Sequence, residues 1–186
     1  AKAEGRNRFS YFSPAMQQRA MQHLQLGKDL RKALARGELS VHYQPILHLA
    51  SGRVCKAEAL LRWAHPVRGL VSPAHFIPLA EETGAIVPIG LWVIQTACKQ
   101  LKAWQTQPGL RELTLAVNVS AKQFHQPDFV DQVRRVLLQT AAKPSHLKLE
   151  LTESMLAKDV EDVVVKMVEI KALGVTFSLD DFGTGY

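Results

Sequence analysis

From Leu39 onward, short runs in which every second residue is apolar alternate with longer runs in which apolar residues recur at steps of three and four. A period of two marks a strand with one buried face, and a period near 3.6 marks a helix with one apolar stripe. The first kind of run occurs at Val41–Pro45, Val54–Leu61, Leu113–Ser120, Leu147–Thr152 and Val175–Asp181. The second occurs at Pro73–Glu82, Ile89–Gln105, Asp128–Gln139 and Asp159–Leu173. This succession predicts βαβ units, hence an α/β fold whose parallel sheet is covered by helices. The connection between the first two strands, residues 47–53 with Ser51-Gly52 inside it, is too short for a crossover helix, so that pair is expected to be antiparallel.

The phase of the strands carries a second signal. Leu113, Leu115, Val117 and Val119 share one face of their strand, which leaves Asn118 on the other. By the same parity Glu150 lies opposite Leu147, Leu149 and Leu151, Asp180 opposite Val175, Phe177 and Leu179, and Glu58 opposite Cys55, Ala57 and Ala59. With the apolar phase turned to the helices, four strands each deliver one oxygen-bearing side chain to one end of the opposite face. Carboxylates gathered without a cation are too costly to serve as packing. Oxygen donors without His or Cys favour a hard ion such as Mg²⁺ or Mn²⁺. The carboxyl ends of parallel strands are also where α/β folds place their active sites. Asp181, beside Asp180, is placed to turn toward a second ion, and two ions about 4 Å apart are the usual apparatus for attack on a phosphodiester. The competing reading treats the four positions as independent, each capped by a Lys, an Arg or a loop amide.

Other features narrow the field. The net charge of +6 is concentrated in residues 1–38, which hold eight basic and three acidic side chains, so the rest of the chain has no basic excess of the kind that binds DNA or RNA. No apolar stretch approaches the roughly 20 residues that span a bilayer. Cys55 and Cys98 lie far apart without zinc-site spacing, and a reducing cytosol is the expected compartment. The seven histidines lack HxxxH or HExxH spacing and are expected on the surface or in hydrogen bonds, while Trp63, Trp92 and Trp104 are expected in helix–sheet packing. No GxSxG elbow supports a nucleophilic serine. Ahead of the sheet, Pro14–Arg36 reads as a helix with one apolar face that stops at Gly37.

The runs Tyr43-Gln44-Pro45, Glu58-Ala59-Leu60-Leu61-Arg62-Trp63, Phe76-Ile77-Pro78-Leu79-Ala80-Glu81, Asn118-Val119-Ser120, Glu150-Leu151-Thr152-Glu153 and Asp180-Asp181-Phe182-Gly183-Thr184-Gly185-Tyr186 together resemble the EAL family. Those enzymes are phosphodiesterases that linearise the bacterial second messenger cyclic di-GMP to pGpG. The opening AKAEGRNRF resembles the closing segment of a GGDEF domain, the diguanylate cyclase module that often precedes EAL. The expected organisation is therefore a GGDEF-like tail in residues 1–13, a linker helix in 14–38, and the N-terminal part of an EAL domain in 39–186.

The resemblance implies a TIM-type (β/α) barrel with an antiparallel first strand, of which about the first five strands lie in this chain. It implies that Glu58, Asn118, Glu150 and Asp180 hold a first Mg²⁺ or Mn²⁺, with Asp180 bridging and Asp181 on a second. Ca²⁺ is expected to bind without supporting hydrolysis. Gln44, Leu60 and Arg62 match substrate-contacting positions, and an Arg fork suits a phosphate. Glu153 matches a residue that steadies the loop at Phe182–Tyr186, which the family links to homodimerisation and metal loading; a helix-start acid is an equally good reading. The family's strand-six lysine, its proton-accepting glutamate and its late glutamine have no counterpart up to Tyr186. A non-catalytic cyclic di-GMP receptor is the alternative function.

Overall fold

A computed structural model describes residues 14–152, Met155 and residues 160–180. The chain opens with helix α1 (Pro14–Ala33), whose C-terminal half seats Leu30 and Ala33 in the core, whereas Met21 and Leu24 stay exposed. Its end is made at Gly37, whose φ of 67° lies in the left-handed region that glycine enters without a Cβ penalty. Strand β1 (Leu39–His48) then runs antiparallel to β2 (Arg53–His65), as the short connection requires, with Leu39 opposite Trp63 and Gln44 opposite Glu58.

After β2 comes a short strand that alternation alone does not reveal, β3 (Gly69–Val71), folded back on the end of β2. Helices α2 (Pro73–Thr83) and α3 (Ile86–Trp104) precede β4 (Thr114–Asn118); α4 (Ala121–Phe124) and α5 (Phe129–Thr140) precede β5 (Leu147–Thr152); α6 (Val160–Ala172) precedes β6 (Thr176–Asp180). The sheet order is β1-β2-β4-β5-β6, with β2, β4, β5 and β6 mutually parallel. This is an α/β architecture forming part of a (β/α) barrel.

The apolar phase faces the helices, as expected from the sequence. Leu115, Val117, Leu147, Leu149 and Leu151 are fully buried against residues such as Ile89, Ile94 and Leu101 of α3 and Val133 of α5. Burial of that kind contributes about 1.5–3 kcal/mol per side chain and outweighs any one polar contact in the fold. On β6 the pattern weakens: Val175 is buried, but Leu179 is 44% exposed. The cause is that β6 has a strand neighbour on one side only among the described residues. The valines Val164, Val165 and Val168 of α6 are exposed as well.

Several boundaries differ from the sequence expectation. Helix α3 begins at Ile86 rather than Ile89, because Pro88 falls in the first turn, where no intrahelical N–H is required. Strand β2 continues past Leu61 to His65 because β1 partners it as far as Trp63 and β3 from Trp63 to His65. Helices α2 and α3 together meet the length and apolarity of a membrane span only as a pair bent by 119°, and no single described helix does.

Trp63 and Trp104 pack as expected. Trp63 meets Phe76 and His65 edge-to-face, and Trp104 meets Tyr43 in the same way. Both cysteines are free. The 1–13 segment, Glu153, Asp181 and the 182–186 loop lie outside the described residues.

Candidate active site

The parallel register explains how separate strands bring their oxygens to one rim. Glu58 of β2 lies level with Ala116 of β4, Asn118 of β4 with Glu150 of β5, and Glu150 with Ser178 of β6, while Asp180 lies level with Thr152. The position therefore advances by two residues from β2 to β4, holds from β4 to β5, and advances by two again to β6. Strands tilted to a barrel axis require such a stagger if one residue per strand is to sit at a common height. An advance of two, unlike one, keeps every side chain on the same face.

Side-chain geometry ties the cluster together. The Nδ2 group of Asn118 donates to Oε1 of Glu58 at 2.7 Å, and the Ser178 hydroxyl donates to Oε1 of Glu150 at 2.9 Å. The two carboxylates are thus steadied by neutral donors, not left bare as the sequence reading had them. Neither bond removes a charge, and among the described residues no lysine or arginine forms an ion pair with Glu58. Behind them, the Val119 N–H donates to the Glu150 carbonyl at 2.9 Å and locks the end of β4 to β5.

No three His, Cys, Asp or Glu side chains converge among the described residues. The described part of the set is Glu58, Glu150 and the amide of Asn118, with the backbone of Asp180 in register on β6. Donation from Nδ2 to Glu58 leaves the amide oxygen of Asn118 as an acceptor, so the group is a set of hard oxygen donors. That chemistry fits Mg²⁺ or Mn²⁺ and does not fit a thiophilic metal.

Beside the cluster lies a cavity of about 300 Å³, walled by Arg62, Glu81, Gly90, Asn118, Gln123 and Glu150. Leu60 also faces it. Arg62 donates one N–H of Nη1, a terminal guanidinium nitrogen, to the Leu61 carbonyl at 3.0 Å, and its other N–H donors have no hydrogen bond among the described residues. Gln44 is exposed, directly across the β1–β2 pair from Glu58. Of the histidines, His23, His48 and His65 are hydrogen-bonded through their rings, to Glu82, Ser51 and Asp29 respectively. His65, 8% exposed, accepts at Nδ1 from the N–H groups of Val67 and Arg68, and its Nε2 lies 3.4 Å from Asp29 of α1.

Glu81, Gly90, Gln123 and Ser178 were not singled out as site residues by parity or spacing. One signal for Gln123 was present. The run Ser120-Ala121-Lys122-Gln123 has the capping-box spacing that opens a helix, and the Ser120 hydroxyl does accept from the Gln123 N–H at 3.2 Å.

A model of the EAL domain matches residues 27–186. Over all 186 residues the chain is 47% identical to the bifunctional diguanylate cyclase/cyclic di-GMP phosphodiesterase MucR of Pseudomonas aeruginosa, of which the match covers 27%. It is 42% identical to the cyclic di-GMP phosphodiesterase NbdA of the same organism, again over its full length, covering 24% of that protein. The chain thus spans about a quarter of the length of these relatives.

Among solved structures, the MucR phosphodiesterase in complex with cyclic di-GMP superposes with a TM-score of 0.82 at 48% identity, over 87% of this chain and 65% of that one. The EAL enzyme Bd1971 in its form bound to cAMP and cyclic di-GMP gives 0.83 at 31% identity, over 90% and 46%. With the antiparallel first strand, the staggered oxygens and these matches in agreement, the chain belongs to the EAL domain family and its fold is part of a TIM-type barrel.

Proposed function

We propose that this chain is part of a phosphodiesterase domain that hydrolyses cyclic di-GMP to linear pGpG. The observation that carries the proposal is the Asn118–Glu58 hydrogen bond at the rim, with Glu150 in register beside it and a cavity opening alongside. Glu58, Glu150, Asp180 and the amide oxygen of Asn118 are the residues that would hold a divalent cation, Mg²⁺ or Mn²⁺, and Asp181 would extend the set toward a second. When bound, such ions polarise the scissile phosphate and lower the pKa of an attacking water.

The chain's own groups do the rest. Asn118 orients Glu58, Ser178 orients Glu150, and Arg62 offers a planar fork to a phosphate oxygen. Leu60 and Gln44 contact the nucleotide from β2 and β1. Ca²⁺ would fit the oxygen set without supporting the reaction. Glu153 steadies the loop at 182–186, through which the domain forms a homodimer. Helix α1 acts as the connector to a preceding cyclase-like module.

The test is hydrolysis by the intact polypeptide with Mg²⁺ or Mn²⁺, followed by chromatographic detection of pGpG. Glu58→Gln should abolish product, and undiminished turnover would refute the assignment. Saturable nucleotide binding without turnover at excess metal would identify a receptor instead.

A further inference from the structure

Gln123 is 1% exposed, and its Nε2 has no hydrogen-bond partner among the described residues. A buried, unpaired amide donor is destabilising, so a residue chosen only to fill space would be apolar here. Its sequence position predicts that the side chain folds back on the backbone of Ser120 to complete the capping box. Instead the amide packs against helix α3 at Gly90. A Cβ built on Gly90 would sit 2.1 Å from Oε1, 2.5 Å from Cδ and 2.8 Å from Nε2 of Gln123.

Glycine within a helix is unfavourable relative to alanine, yet Gly90 sits in the second turn of α3. The notch and the amide that occupies it therefore form a matched pair joining α3 to α4. The connection from α4 to the oxygen cluster is short. Ser120 caps α4, Val119 is bonded to Glu150, and Asn118 donates to Glu58. On the far side, Lys122 Nζ donates to the Glu81 carbonyl at 2.7 Å and ties α4 to the end of α2.

We propose that Gln123, wedged into the Gly90 notch, is a positioning residue that fixes the β4–α4 turn and thereby sets where Asn118 holds Glu58. This rests on the cluster being a cation site, as proposed above. The wedge acts by shape. Its buried side chain can relieve a clash only by swinging into the cavity or by displacing α4, and both routes disturb the rim.

The experiment uses the intact polypeptide, with Mn²⁺ binding followed by calorimetry in the absence of nucleotide and cyclic di-GMP hydrolysis measured separately. Gly90→Ala should weaken Mn²⁺ binding and lower kcat about tenfold, because misplaced supports of metal ligands typically cost that much. Overpacking outweighs the gain in helix propensity, so Tm should fall as well, and the double variant separates a clash at Gln123 from general damage to the fold. Adding Gln123→Ala to Gly90→Ala should bring Mn²⁺ binding back to the level of Gln123→Ala alone, because the methyl group then has room.

Gln123→Met keeps the wedge without the unpaired donor and should bind Mn²⁺ more tightly than Gly90→Ala. If it raises KM with metal binding intact, Nε2 contacts the nucleotide and the positioning role is overturned. Unchanged Mn²⁺ binding in Gly90→Ala overturns it as well. The Glu58→Gln variant distinguishes that failure from failure of the underlying reading, since only the latter leaves Glu58→Gln binding Mn²⁺ normally.

Discussion

Replacing Asn118 by aspartate keeps its size and reverses the sense of its contact with Glu58. A donor at 2.7 Å becomes a second carboxylate at the same separation. Two unit charges at that distance repel by about 1.5 kcal/mol in water and about 6 kcal/mol at an effective dielectric of 20. Asn118 is exposed, so the lower value applies, and the lost hydrogen bond adds about 1 kcal/mol. The expected total of about 2.5 kcal/mol corresponds to a fall in Tm of roughly 5–10 °C for a domain of this class.

Asn118→Ala should lose only the hydrogen-bond share. In Asn118→Asp the two carboxylates share a proton, so the pair titrates above the ordinary carboxylate range in the folded state. A raised folded pKa means that the penalty is present at neutral pH and disappears as pH falls through it. Differential scanning calorimetry of the intact protein in EDTA, at pH 7.5 and again near pH 5, reads both effects. Mg²⁺ should restore Asn118→Asp at neutral pH and leave the Asn118→Ala deficit in place. If the two variants melt together at pH 7.5 and neither responds to pH, Glu58 is not the partner of residue 118 and the geometry of the rim is wrong.

Burial and the nearby Lys143 push the His146 imidazole below its ordinary pKa, so its contribution to stability is present above about pH 6.5 and lost as pH falls below that value; His146→Gln should flatten this part of a Tm–pH profile. Trp63→Phe removes the 2.9 Å bond from Nε1 to Oε2 of Glu38 at the junction of α1 and β1, and urea titration should show a loss of about 1–2 kcal/mol. Burial pushes the Cys98 thiol up to about 12, so in native protein iodoacetamide should label Cys55 and spare Cys98 until denaturant is added; equal labelling would contradict the packing of α3.

Parity made the strands and the rim legible. Alternation over Leu113–Val119 and Leu147–Leu151 separated the face buried under helices from the face bearing Asn118 and Glu150, because a period of two admits only two faces. The antiparallel β1–β2 pair followed from the length of residues 47–53. Elements too short to complete two of their own periods were not legible. Strand β3 has three residues and α4 has four, so their positions were decided by the end of β2 and by the Ser120 cap. Nor could parity foresee neutral partners for the carboxylates, since Ser178 meets Glu150 through the register of β5 on β6, a long-range fact. Gln123 followed the capping pattern in its backbone and departed from it in its side chain, because a glycine 33 positions earlier had left it a better-fitting space.

A first strand that runs against its neighbours inverts the usual plan of such barrels. Leu39 enters beside Trp63, near the carboxyl end of β2, so the chain arrives at the rim that bears Glu58 and Arg62 rather than at the opposite floor. Helix α1 joins that rim directly, with the Glu38 carbonyl accepting from Ala64 and with Gly27 packed against Leu79 of α2. A twist or pull applied to residues 14–33 is therefore delivered to the strand that carries Glu58, about 20 Å along β2 from that residue.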